Sequence, residues 1–379
     1  MRIAILTLSF WPNRAGMEYV VHDLSSALHE LGHEVYVFAP NVRGDFQEID
    51  HNYHLIRFGL KIPGAFRYGL NRLSLLLKIR NIHGFNSIDI INVHMADITA
   101  SYALNLKKAF GIPVVVTCHG GDIQRVPEIR YGLRLNKKKD KIIRGNLKKA
   151  DMVIAISDSM FDELREIVPE DKIAKIPHGV ELETLQNKTT ENLRETLGVS
   201  NEIIVLSVGR NVPKKAFDVG LRAFAIVAKQ EKNVIYVHIG GGGGPLEKLA
   251  SVLGVKDRFF ALGALNRENV LSSYKDADIF FSPAIIESFG IVTYEAMSAG
   301  CACVLSNGPG NRDAIRDESN GLIVPVGDEN AMAKALLSLI QNPDKREQLG
   351  KSALKHAQSL HNWATVADIY TKNFSKLLH

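Results

Sequence analysis

Ile203-Ile204-Val205-Leu206-Ser207-Val208-Gly209-Arg210-Asn211-Val212-Pro213-Lys214-Lys215 is an apolar run that breaks on a glycine into a basic turn. A run this apolar, without alternation, fits a strand covered on both faces, as strands of a parallel sheet are. Its position decides the architecture. Upstream, strand candidates at Arg2–Leu8, Glu34–Ala39, His54–Phe58, Ile88–His94, Val114–His119, Met152–Ile156 and Ile173–Ile176 alternate with helical patterns. The clearest helix runs over Met17–Leu31 and stops on Gly32. The polar stretch Glu181–Asn201 interrupts this alternation, which restarts at Ile203 and continues through Val234–Ile239, Phe259–Leu262, Asp278–Ser282, Cys303–Ser306 and Leu322–Val324. The pattern predicts an α/β protein with two doubly wound, Rossmann-like domains facing each other across a cleft. The expected domains are residues 1–185 and 186–362, with a closing helix over 363–379 packing back on the first.

Length and composition support this division. At 379 residues the chain exceeds a single ordinary core, and 46% hydrophobic with 23% charged residues is typical of globular proteins. Met1–Leu8 is too short an apolar run for a signal peptide and reads as a buried first strand. No stretch approaches the roughly 18 to 20 apolar residues of a spanning helix. Cys118, Cys301 and Cys303 have neither the even count of a disulfide framework nor the paired spacing of a zinc site, which fits a reducing cytoplasm. The net charge of +5 is unevenly spread, because Arg57–Lys149 holds 18 Lys and Arg against 5 Asp and Glu, leaving −8 elsewhere. Such a basic segment is either a solvated face or a contact for an acidic partner, with an anionic membrane as the expected one. Lys137, Lys138, Lys139, Lys141, Arg144, Lys148 and Lys149 would carry that contact. No nucleic-acid recognition motif accompanies them.

The polar residues at strand ends carry the chemistry. Arg210 and Lys215 follow the first strand of the second half, where a guanidinium fork and an ammonium can clamp a diphosphate. Glu287-Ser288-Phe289-Gly290-Ile291-Val292-Thr293-Tyr294-Glu295 follows a later strand, with a helix expected from near Phe289 to Gly300. Two glutamates so spaced can be a solvated helix face, but at a strand end beside a helix N-terminus they can grip hydroxyls while main-chain N–H groups hold an anion. In the first half, Gly16 lies between strand and helix, where the missing Cβ lets the backbone approach an anion. Gly240–Gly244 lacks the lysine and Ser/Thr of a P-loop, and no G-x-G-x-x-G marks a dinucleotide site. His119 ends another strand and can donate to a hydroxyl or act structurally; Cys118 reads as core.

These pieces resemble, in order and spacing over nearly the whole chain, the retaining glycosyltransferase family 4 with the GT-B fold. The likeness rests on Gly16-Met17-Glu18, Gly32-His33-Glu34-Val35, His119-Gly120, Ile156-Ser157, Pro177-His178-Gly179-Val180-Glu181, Gly209-Arg210 with Lys215, Ala277-Asp278, Ser282-Pro283, and Glu287-x7-Glu295 leading into Ala296-Met297-Ser298-Ala299-Gly300. The resemblance implies a hexosyltransferase moving a hexose or N-acetylhexosamine from a nucleotide-diphosphate sugar, UDP or GDP, without cofactor or metal. It implies that Arg210, Lys215 and Gly16 hold the diphosphate, that Glu295 accepts from the ribose and that Leu265 lines the base pocket. Glu287, the backbone of Phe289 and Gly290, and His119 would contact the transferred sugar. The implied acceptor is a lipid-linked, glycan or small molecule of the cell envelope. An epimerase or hydrolase, or a non-catalytic subunit, is the alternative on the same scaffold. Ala15, Ala216 and Arg312-Asp313 depart from the family pattern, the first two standing where glycine is usual and the pair where Pro-Glu is frequent.

Overall fold

The structure, a computed structural model, describes residues 1–13, 15–42, 47–59, 66–85, 87–180, 193–315 and 319–378. Arg14 and residues 181–192 of the interrupting polar stretch lie outside the described residues. The chain divides into two compact units, Met1–Gly179 with His361–His379, and Val180–Leu360.

In the first unit the strands are β1 (Arg2–Leu6), β2 (Glu34–Pro40), β3 (His54–Phe58), β4 (Ile90–His94), β5 (Val114–Thr117), β6 (Met152–Ala155) and β7 (Ile173–Lys175). They pair in parallel in the order β3-β2-β1-β4-β5-β6-β7. Every residue of β4 and β5 is buried, which explains their unbroken apolar reading. In the second unit β8 (Ile203–Val208), β9 (Val234–Ile239), β10 (Phe259–Ala261), β11 (Ile279–Ser282), β12 (Ala302–Ser306) and β13 (Leu322–Val324) run in the order β10-β9-β8-β11-β12-β13, again all parallel. Helix Phe217–Gln230 buries Phe217, Leu221 and Phe224 in a core with Tyr236, Phe281, Met332 and Leu336. Both sheets reverse their winding once, between β1 and β4 and between β8 and β11. Ligands of doubly wound sheets bind beyond the carboxyl ends of the strands at such a reversal.

Several boundaries differ from the sequence expectation, for local reasons. The strand expected to reach His119 ends at Thr117, because the N–H groups of His119 and Gly120 turn onto the Asp122 carboxylate at 3.1 and 3.0 Å. The helix expected from Phe289 is Ile291–Ser298, because Gly290 takes the left-handed conformation at φ 79°. The closing helix, Trp363–Ser375, buries Trp363, Val366, Ala367, Tyr370 and Phe374 along one face. It belongs to the first unit, where His33 Nε2 lies 2.8 Å from Thr371 Oγ1 and the Tyr370 hydroxyl 3.4 Å from Thr117 Oγ1.

The start of that helix is fixed by a glycine. A Cβ at Gly179 would stand 2.6 Å from Trp363 Cδ2 and 2.8 Å from the Trp363 main-chain nitrogen. Gly179→Ala is therefore predicted to destabilise the first unit by about 1–3 kcal/mol, the usual cost of overpacking. Denaturant unfolding followed by tryptophan fluorescence reads this, and an unchanged midpoint would show that the helix is not docked as described.

Candidate active site

The reversal of the second sheet gathers most of the residues singled out by sequence. β8 ends at Val208, and the turn that follows carries Gly209, Arg210, Lys214 and Lys215 before helix Phe217–Gln230. Main-chain contacts tie this turn to its neighbours. Asn211 N donates to Gly241 O at 2.9 Å, and Gly240 N to Gly263 O at 2.7 Å, joining the loops after β8, β9 and β10. Ile285 N donates to Lys214 O at 2.8 Å and Glu287 N to Pro309 O at 3.0 Å, joining those after β8, β11 and β12. Glycines make the approach close enough: a Cβ at Gly240 would lie 1.9 Å from Gly209 O, and one at Gly310 would lie 2.5 Å from Glu287 O. Ala216, the departure from glycine, adopts the left-handed conformation at φ 48°. The turn thus keeps a shape natural to glycine at the steric cost of an alanine.

Glu287 is the centre of this group. Its side chain is 7% exposed; Lys215 Nζ forms a short ion pair with Oε1, and Lys214 Nζ stands 3.7 Å from Oε2. Burial pushes the carboxyl pKa up, but the two ammoniums outweigh it and hold the group below its ordinary value of 4.5. Glu295 is half-buried on helix Ile291–Ser298 and accepts a hydrogen bond from the buried Tyr274 hydroxyl at 3.1 Å. Arg210 is exposed and has no hydrogen-bond or ion-pair partner among the described residues. Leu265 is half-buried just beyond the Gly263 contact, and the buried Phe289 ring packs on Tyr294 with centroids 4.6 Å apart.

The first unit holds Gly16 and His119. Gly16 opens helix Gly16–Glu30, and a Cβ there would meet nothing within 4 Å, so its space is open. Beside it, Ser9 Oγ donates to the buried carboxylate of Glu18. His119 is half-buried, lies between the rings of His94 and His178, and is held by burial at a pKa of about 4, so its imidazole is neutral at pH 7. The fully buried Asp122 accepts from Ala96 N at 2.8 Å as well as from His119 and Gly120, pinning the ends of β4 and β5 together. Burial raises its pKa to about 6 despite these N–H bonds.

Two family models match the chain, "Glycosyltransferase Family 4" over residues 14–184 and "Glycosyl transferases group 1" over 189–356. The chain belongs to glycosyltransferase family 4. Its GT-B fold appears in solved structures: it superposes on sucrose-phosphate synthase of Thermosynechococcus elongatus with a TM-score of 0.84 at 22% identity, covering 99% of this chain and 98% of the other. It superposes on Anabaena HepE in complex with UDP-glucose with a TM-score of 0.81 at 19% identity, covering 99% of this chain and 100% of the other. Among curated relatives, N-acetyl-alpha-D-glucosaminyl L-malate synthase of Bacillus anthracis is 26% identical over 91% of this chain and 90% of its own length. Alpha-monoglucosyldiacylglycerol synthase of Streptococcus pneumoniae is 25% identical over 100% of this chain and 85% of its own length. Hexosyl transfer is the activity this family membership supports.

Sequence reasoning missed Lys214, Tyr274, His94 and Asp122. His94 could have been found by the rule that picked His119, since the sequence pattern puts both at the end of an expected strand, Ile88–His94 and Val114–His119. Gly-Gly-Asp after His119 is also a legible turn signal. Tyr274 had no such signal, because it meets Glu295 only through tertiary packing.

The pairing of Glu287 sets an acid limit. A carboxylate whose native pKa is depressed contributes stability fully above its unfolded value and loses it as pH falls through the native one. The stability advantage of the wild-type enzyme over Glu287→Gln is therefore predicted to be level from about pH 8 to about pH 5 and to shrink as the pH falls below the ordinary carboxyl value of 4.5. Denaturant midpoints across this range check it, and a pH-independent difference would refute the pairing.

Proposed function

We propose that this glycosyltransferase is a retaining, metal-independent enzyme that moves a hexose or N-acetylhexosamine from a UDP or GDP sugar to a cell-envelope acceptor. The observation that carries the reading is the juxtaposition, at one strand-order reversal, of the exposed Arg210, unpaired among the described residues, with the Lys215–Glu287 pair. Arg210 and Lys215 take the diphosphate, supplying the positive charge that a metal ion would otherwise bring to the leaving group. Glu295, whose Oε2 accepts from Tyr274, also accepts from the ribose hydroxyls, and Leu265 lines the base pocket. Glu287 and the main chain at Phe289 and Gly290 bind the transferred sugar. We assign Gly16 to the diphosphate and His119 to the sugar as well.

In the reaction, the acceptor oxygen bonds to the anomeric carbon on the face from which the phosphate leaves. The bond from that carbon to the phosphate oxygen breaks, and the acceptor's proton passes to the departing phosphate oxygen. No side-chain base is required, and fixed cations stabilise the charge that develops.

The acceptor reading draws on the basic helix Lys137–Lys149. Lys137, Lys138, Lys139, Lys141, Lys148 and Lys149 are exposed, and Ile142 beside them is 44% exposed. Arg144, expected with them, is instead half-buried and donates to Asp140 at 3.0 Å, so it is removed from the patch. The helix over Phe66–Phe85 leaves Leu73 and Leu77 about half exposed while burying Leu75 and Ile79, so its packing is only partial. A family relative is named for a glucosylated diacylglycerol, and a lipid acceptor at an anionic membrane face suits the lysines.

Arg210→Ala and Glu295→Ala are each expected to lower kcat/KM for the nucleotide sugar by about 10²-fold or more. Because Arg210 is exposed, its variant should melt like the wild type; unchanged turnover in either variant would contradict the assigned roles. Sugar released without any acceptor would indicate a hydrolase instead. For the basic helix, replacing Lys137, Lys138, Lys139 and Lys141 by Glu should abolish low-salt binding to anionic vesicles. Failure of the wild type to bind such vesicles would remove the membrane reading.

A further inference from the structure

Of one ring cluster in the first unit, only His119 has a part in the proposed function. The imidazoles of His94, His119 and His178 and the indole of Trp363 form a continuous row, with ring centroids 5.0, 5.6 and 6.2 Å apart in that order. His94 ends β4 at the strand-order reversal and is fully buried. Its Nδ1 lies 2.8 Å from His119 Nε2. The backbone holds this meeting in place: Met95, the next residue, sits at φ 88° with its N–H on Thr117 O at 2.9 Å, and Asp122 grips Ala96 N and His119 N together.

Both imidazoles are neutral, since burial lowers the pKa of each. A neutral imidazole carries a single N–H, so the 2.8 Å contact contains one proton, belonging to one of the two rings. If His119 Nε2 supplies it, the proton of His94 must stand on His94 Nε2, which is buried and has no hydrogen-bond partner among the described residues. That strands a donor. If His94 Nδ1 supplies it, His94 Nε2 is left as a bare acceptor, and a stranded acceptor is the more tolerable defect in a protein interior. His119 then accepts at Nε2 and carries its own proton on Nδ1, for which the described residues show no partner.

We propose that His94 is a positioning residue that fixes His119 as the Nδ1–H tautomer, so that His119 meets the transferred sugar as a neutral hydrogen-bond donor and selects a sugar oxygen there. The proposal deepens the functional reading and rests on its assignment of His119 to the sugar. It makes His119 a reader of an oxygen lone pair, whereas the opposite tautomer would present a bare nitrogen and read a hydroxyl proton.

Long-range proton–nitrogen NMR of the ¹⁵N-histidine-labelled, full-length enzyme distinguishes protonated from bare ring nitrogens. The expected result is a protonated Nδ1 and a bare Nε2 at His119; a proton on His119 Nε2 would overturn the proposal. This reading of the wild type stands whether or not any variant folds. In His94→Phe, which keeps a ring but loses the donor, His119 should populate both tautomers and kcat/KM for the donor sugar should fall about five- to tenfold, the worth of one net hydrogen bond. His94→Gln, whose amide can donate to His119 Nε2, should restore most of it. Equal losses in both variants, with native melting curves, would mean that His94 acts only by packing and would also overturn the proposal. Should His119→Ala transfer sugar at the wild-type rate, the sugar contact fails while the tautomer result still stands, so the two failures are separable.

Discussion

Glu287 is a carboxylate taken out of water, and a buried charge must be paired or neutralised. Lys215 and Lys214 pair it, and that requirement organises the second unit's site. To bring the two lysines to the carboxylate, the turn after β8 must reach the loop after β11, which it does through the hydrogen bond from Ile285 N to Lys214 O at 2.8 Å. To admit Glu287, the loop after β12 must pass close beneath it, which Gly310 permits. Removing one member of such a pair leaves the other buried and unmatched, a defect commonly costing about 3–5 kcal/mol. The pair is therefore a constraint on the fold as well as a feature of the site.

Preorganisation follows from the same pairing. Lys215 would otherwise be a flexible cation whose immobilisation on binding costs entropy. Here its ammonium is already positioned, with its side chain 14% exposed, before any anion arrives. Arg210 differs, being exposed and without a partner among the described residues. A buried cation beside an exposed one suits a leaving group whose charge grows during reaction. The first unit uses the same logic without a net charge: two neutral imidazoles, His94 and His119, share one proton at a fixed contact.

Much of this arrangement was legible in the sequence because strand ends are legible. Apolar runs buried on both faces show as unbroken runs, and β3, β8, β9 and β13 occupy the stretches expected for them. The residues just beyond such runs fall at the carboxyl edge of the sheet by geometry, so Arg210, Lys215, Glu287 and His119 could be picked out without coordinates. Contacts between distant segments were not legible. Neither the Tyr274 hydroxyl on Glu295 nor the ion pair that removes Arg144 from the basic patch follows from spacing alone, since both depend on packing. Local backbone choices were also hidden where side-chain identity misleads. Ala216 takes a left-handed conformation that its side chain disfavours, and only the surrounding turn explains it.

The central claim is that the cations and carboxylates at the second sheet's reversal form the seat of a nucleotide-diphosphate sugar. A crystal structure of the enzyme bound to a UDP or GDP sugar tests it most directly. The account predicts the diphosphate within hydrogen-bond distance of Arg210 and Lys215, with the ribose hydroxyls on Glu295. A nucleotide bound elsewhere, with Arg210 still in solvent and Glu295 bonded only to protein, would contradict it.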